Sequence, residues 1–235
     1  MKQHRAIFAG SMLFSILAGF QLSVSDAKAQ ACQLDLPAPR VSVQTYEGPI
    51  KINNGHSSKQ LAAKIGKHGT LSRNSGWVTR GLTKTALESQ IEVGVQLRQL
   101  ANNRFCIGLQ KVTAKVGYKE FRVYVARDLK PSSCEYRTTM DHEQAHVAIY
   151  KDQLRKFAPR FEQRLIRAAT RMKPIISKSA KAGPNYFLKK LNSEFRQVFK
   201  QLSRETDSRQ GRLDTPNNYR REQALCPARP RTITR

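Results

Sequence analysis

The chain has 235 residues, with 42 Lys and Arg against 17 Asp and Glu, for a formal net charge of +25. That length carries one domain with a substantial core or at most two small ones, and the lack of internal repeats and low-complexity tracts excludes a repeat array. The basic field favours anionic partners, and it is uneven: residues 151–235 hold 22 Lys and Arg and 7 Asp and Glu, a balance of +15.

Lys2, His4 and Arg5 precede an apolar run from Ala6 to about Phe20. Two small-residue cleavage patterns follow, Ala27-Lys28-Ala29 and Ala29-Gln30-Ala31, so residues 1–29 read as a secretory signal. As a membrane span the run is too short against the about 20 residues required, and Gly10, Ser11, Ser15 and Gly19 break it. The mature protein is therefore expected to be periplasmic or secreted, with no transmembrane segment after signal cleavage. Residues 30–235 are expected to form a single domain with its core over about 41–228. Export permits disulfides among Cys32, Cys106, Cys134 and Cys226. Of the three pairings, the expected one joins Cys106 to Cys134 across a strand region and Cys32 to Cys226 across the termini.

Ser57-Ser58 predicts the cap of a short helix through Ile65, ended by Gly66 and Gly69. Beyond it the period is two. Ile91, Val93, Val95 and Leu97 alternate with polar residues, then Phe105, Ile107 and Leu109, then Phe121, Val123 and Val125, with breaks at Asn102-Asn103 and Gly117. This pattern predicts an antiparallel meander with one buried face. From Met140 the period changes. Tyr150, Leu154, Phe157, Phe161, Leu165, Ala168 and Met172 form one helical stripe, in which Pro159 predicts a kink or a division. Residues 173–184 turn the chain, and Leu188, Leu191, Phe195, Val198 and Leu202 form a second stripe. The fold class expected is α+β, an antiparallel sheet followed by a long helical hairpin.

The first of these helices carries His142-Glu143-x-x-His146. On a helix the two histidines are separated by about 40° of net rotation and about 6 Å of rise, so both imidazoles converge on one ion, with Glu143 beside them to hold water. No histidine follows His146, and Asp152 points away from it, so the extended H-E-x-x-H-x-x-G-x-x-H arrangement is excluded. An acid must complete the site. With Arg171 opposite Asn185 across the turn, position 142 faces about 214 and 146 faces about 210, which favours Asp214, then Asp207, then Glu205. Tyr219 and Arg220 follow closely, and either would polarise a carbonyl or steady a tetrahedral intermediate.

Tyr46-Glu47-Gly48 with Ile50 and Ile52, the segment SSKQLAAKIGKHG, the strands, MDHEQAHVAIY and the late Gln210-x-x-Leu213-Asp214-Thr215 together resemble a family of bacterial exported proteins described as predicted secreted zinc-dependent proteases. The resemblance covers most of residues 41–222. It implies a zincin-like domain with Zn2+ on His142 and His146 and Glu143 catalytic. Many members carry a His-Gly pair soon after the late Asp and Thr, where this chain has Asn217-Asn218-Tyr219. The expected function is a zinc metallopeptidase acting on a peptide or protein substrate. The alternative is a non-catalytic protein that grips an anionic cell-envelope polymer, with the motif structural or vestigial; no nucleic-acid partner is expected.

Overall fold

The structure is a computed structural model that describes residues 32–65 and 78–227. The expected signal at 1–29 and the expected helix stops Gly66 and Gly69 lie outside them. The elements are β1 (Arg40–Glu47), β2 (Ile50–Asn53), α1 (Ser58–Ile65), β3 (Gly81–Leu100), β4 (Arg104–Val125), α2 (Cys134–Thr170), β5 (Ile175–Ser177), α3 (Ala182–Leu213) and α4 (Pro216–Gln223).

β4 is the spine of the sheet. Along one edge it pairs antiparallel with β3 over almost its whole length. The other edge is filled end to end by β5 antiparallel at Phe105–Ile107, β1 parallel at Lys111–Tyr118 and β2 parallel at Phe121–Tyr124. The protein thus joins one sheet with helices, but the sheet is mixed, which corrects the expectation of an antiparallel meander. The parallel partners come from residues 40–53, whose alternation is too brief to mark them as strands.

The β3–β4 hairpin turns at Asn102 and Asn103, both with positive φ, 59° and 51°. Asparagine tolerates this left-handed region, and paired positive φ values match the twist of the flanking strands. Gly117, the other expected break, is not one. β4 runs through it, and a Cβ there would lie 2.1 Å from the Tyr46 carbonyl oxygen and 2.7 Å from its ring. The glycine admits Tyr46 of β1 rather than ending a strand.

Two irregularities in register, at Thr85/Leu87 and Gly94/Val95, switch the parity of the buried face of β4. Ile107 and Leu109 face the core, then Val112, Ala114, Val116 and Tyr118, then Phe121 and Val123. Gln110 is the extra residue at the first switch, and Lys119-Glu120 oppose the single Ala86 at the second. On the far edge the chain jogs at the same place: the Gly48 N–H donates to the Tyr118 carbonyl at 2.7 Å and the Phe121 N–H to Pro49 at 2.9 Å.

That one face of the sheet is covered by Val147, Leu154, Phe157, Phe161, Leu165 and Ala169 of α2 and by the apolar stripe of α3. Phe161 stacks on Phe195 with ring centroids 4.4 Å apart, and Arg164 pairs with Glu194 and Lys156 with Glu205, so α3 runs back along α2. Pro159 does not divide α2. It is exposed, so the hydrogen bond it removes falls on the outer face of the helix.

The disulfides are Cys32–Cys106 and Cys134–Cys226, not the expected pairing. Leu34 and Leu36 pack over Gly108, which lays the N-terminal segment beside Cys106. The end of α4 returns instead to the start of α2. Each bridge closes a long loop and contributes about 2–4 kcal/mol by restricting the unfolded chain. No helix among the described residues is long and apolar enough to cross a membrane. With two disulfides, this is compatible with an extracellular or periplasmic protein.

Gly117→Ala should destabilise the protein by about 1–3 kcal/mol, because the added carbon meets backbone that cannot rotate away. The shift of the urea midpoint at constant m-value measures it.

Candidate metal centre

α2 begins earlier than the period change at Met140 indicates. Ser133 caps it, its Oγ accepting from the Tyr136 N–H at 3.1 Å, so the histidine motif occupies the third turn rather than the first. Its backbone is therefore fully hydrogen-bonded, and its side chains point under α3 and α4. His142, Glu143 and His146 are 6, 4 and 8 % exposed.

The two imidazoles converge. His142 Nε2 and His146 Nε2 are 3.0 Å apart, and Asp214 Oδ1 lies 3.2 and 3.1 Å from them. The opposite ring nitrogens are both engaged. His142 Nδ1 meets the Glu222 carboxylate at 3.0 and 3.1 Å, while His146 Nδ1 meets Gln210 Oε1. Gln210 also donates from Nε2 to the His146 carbonyl at 3.1 Å, which fixes its amide orientation. Acceptors on both Nδ1 atoms place the imidazole protons there and turn both Nε2 lone pairs inward.

Three acceptor atoms then face one another, and they need positive charge between them. An ion bound tetrahedrally at about 2.0–2.1 Å holds neighbouring donor atoms about 3.3 Å apart, close to the spacing of these three. The residues present fit a metal ion of that kind. Glu143 also offers an oxygen within 4.8 Å of the imidazole ligand atoms. His142, His146 and Glu143 thus form one possible metal-binding group, and Asp214, at 3.2 and 3.1 Å from the two imidazoles, is a second carboxylate at the same place.

Glu143 is held from β3. Thr83 donates its hydroxyl to Glu143 Oε2 at 2.7 Å, with the Glu143 carbonyl also in reach at 3.1 Å. Gly81, two residues earlier, has no side chain to obstruct this approach; a Cβ there would lie 2.3 Å from Glu143 Oε1.

The short helix α4 closes the other side. Thr215 caps it by accepting from the Asn218 N–H at 3.2 Å, with Pro216 as its first residue. Tyr219 donates to Asp214 Oδ1 at 2.6 Å, and its ring lies 4.9 Å from that of His142. Asn218 donates to Glu222 at 2.6 Å and to the Leu213 carbonyl at 3.1 Å. No residue of α4 is fully buried, so these polar contacts and the Cys134–Cys226 bridge hold it.

The electrostatics express the same demand for a cation. Burial is the largest single influence on His142 and opposes its charging, but hydrogen bonds to Asp214 and Glu222 and the charge of Glu143 outweigh it, pushing the imidazole up to about 9. His146 is raised in the same way, burial opposing and Asp214 prevailing. Burial also works against ionised Asp214, yet hydrogen bonds from both histidines and Tyr219 hold it well below the usual carboxylate range. Burial pushes Glu143 up, against the pull of His146, Thr83 and His142.

Of the residues singled out from sequence, the structure brings together His142, Glu143, His146, Asp214 and Tyr219. Glu205 is engaged elsewhere, by Lys156 at 2.9 Å and Arg160 at 3.4 Å, and Asp207 is exposed. Arg220 is also exposed and bonds Asn217. Sequence reasoning placed position 210 opposite His146, where Gln210 stands, but gave it no role, and it did not find Thr83 or Glu222. Thr215-Pro216 signals a helix start that would have placed Asn218 and Glu222 on one face; nothing local marks Thr83. Comparison with protein-family models, with curated proteins and with solved structures finds no match to the chain, so the functional reading rests on this geometry.

In chelator-treated protein, His142 with a folded pKa of about 9 against an ordinary 6.5 gives stability that is full below about pH 6.5 and lost as pH rises through about 9. The urea midpoint should fall over that window, and a midpoint constant across it would contradict the charge distribution described.

Proposed function

We propose that the protein is an exported zinc-dependent metallohydrolase, and specifically a peptidase. The observation that carries this reading is the convergence of His142 Nε2, His146 Nε2 and Asp214 Oδ1 within 3.2 Å, each imidazole oriented from its outer nitrogen, with a buried carboxylate left over beside them. A structural ion needs four closed ligands; a spare acid next to three ligands suits catalysis.

His142, His146 and Asp214 would hold the zinc, which when bound supplies a Lewis acid that activates water near neutral pH. Glu143 is the base. Thr83 occupies Oε2, so Oε1 receives the proton of the attacking water and later delivers it to the leaving amine. Its raised pKa suits both transfers, since the group must give the proton back. Gln210 and Glu222 keep the two imidazoles aimed, and Tyr219 commits its single O–H to steadying Asp214. A peptide or protein is the substrate class, in keeping with the resemblance of the HExxH segment to secreted zinc-dependent proteases.

Elemental analysis of the mature protein should find one zinc per chain, lost in His146→Ala. Glu143→Gln should keep the zinc and lower hydrolysis of an unfolded protein substrate at least 100-fold, about the low end of what a general base contributes. Full hydrolysis by that variant with zinc still bound would remove Glu143 from the mechanism. Glu222→Gln should weaken zinc about 10–100-fold in a chelator competition without changing the far-ultraviolet circular dichroism.

A further inference from the structure

On the solvent side of the α2–α3 seam, two hollows of about 300 Å³ each adjoin through the contact of Arg160 with Glu205. Arg160, Arg164 and Arg167 line the first from α2, and Arg204, Arg209 and Arg212 line the second from α3. Lys156, Arg160 and Arg164 recur at every fourth position, which places like charges one helical turn apart and is unfavourable in itself. The acids relieve only part of this. Glu205 serves Lys156 and Arg160, Glu194 serves Arg164, and Asp152 serves Arg209. Among the described residues, Arg167, Arg204 and Arg212 have no carboxylate partner.

We infer that this groove binds a linear polyol-phosphate polymer of the cell envelope. The cations recur about every 6 Å along α2, so an extended chain with repeated charges meets one per turn. Guanidinium forks match phosphate oxygens. Between them stand Gln163, Gln197 and Gln201, whose amides both donate to and accept from hydroxyls. No aromatic residue lines either hollow, so the groove offers no stacking platform for the bases of a single-stranded nucleic acid. It is concave and its one apolar lining residue, Val198, is buried, which suits a chain rather than a bilayer. The two disulfides agree with a compartment where such polymers occur. The inference does not depend on hydrolysis, since no groove residue belongs to the metal centre.

The test is binding of a defined glycerol-phosphate oligomer to the full mature protein by calorimetry, beside an oligothymidylate of equal charge and vesicles containing phosphatidylglycerol. The oligomer should bind most tightly of the three, with log affinity falling against log salt by about 0.7 per phosphate contacted. The double variant Arg167→Glu, Arg204→Glu should bind at least tenfold more weakly with an unchanged thermal midpoint. Lys111→Glu with Lys115→Glu, an equal charge change on the open face of the sheet, should alter binding less than threefold. Tighter binding of the oligonucleotide or the vesicles, equal losses in both double variants, or no binding of the oligomer would each overturn the proposal.

Discussion

The Nε2 atoms of His142 and His146 and the Asp214 carboxylate lie within 3.2 Å of one another, an arrangement that a shared proton or a cation stabilises. His142, His146 and Asp214 repel as neutral imidazoles and carboxylate, and a proton or a metal ion between them turns that repulsion into attraction. Much of the surrounding structure exists to hold them there. Gln210 and Glu222 engage the outer imidazole nitrogens, Tyr219 fixes the carboxylate, and each of these is itself held by a helix cap, a second hydrogen bond or a disulfide.

The scaffold suits this purpose because each contributor comes from an element fixed by other means. The motif sits in the third turn of a 37-residue helix whose apolar face is buried against β4. Gln210 lies in the last turn of α3, and Asp214 is its C-cap, so the seam of Phe161 and Phe195 sets their distance from the histidines. Glu143 is approached from β3, where a glycine two residues before Thr83 leaves the room needed. Only α4 lacks a buried face, and there the Cys134–Cys226 bridge takes the place of packing.

Charge is arranged to separate two faces of the same helices. Toward the sheet, α2 and α3 enclose the buried His142, Glu143 and His146, with the Asp214 carboxylate against both imidazoles. Toward solvent they expose arginines that exceed the acids available to pair with them. A protein of net charge +25 keeps a cluster of carboxylates because the cluster is shielded and its partners are within hydrogen-bond reach, whereas the basic surface is screened by water and salt.

The chain by itself determined the elements whose period is local: the alternation at Ile91–Leu97, the stripes of α2 and α3, the cap at Ser57, and the convergence of two imidazoles four residues apart on a helix. It left unread the parity switches of β4, because an extra Gln110 interrupts alternation without announcing itself, and it took Gly117 for a break where it is a clearance for Tyr46. Tertiary structure alone decided the parallel pairing of β1 and β2, the disulfide partners at separations of 74 and 92 residues, and the outer ring of Thr83, Gln210 and Glu222. These depend on the register between elements far apart in sequence. That register is set by how side chains interdigitate in the core, a property of surfaces in contact that no local spacing encodes.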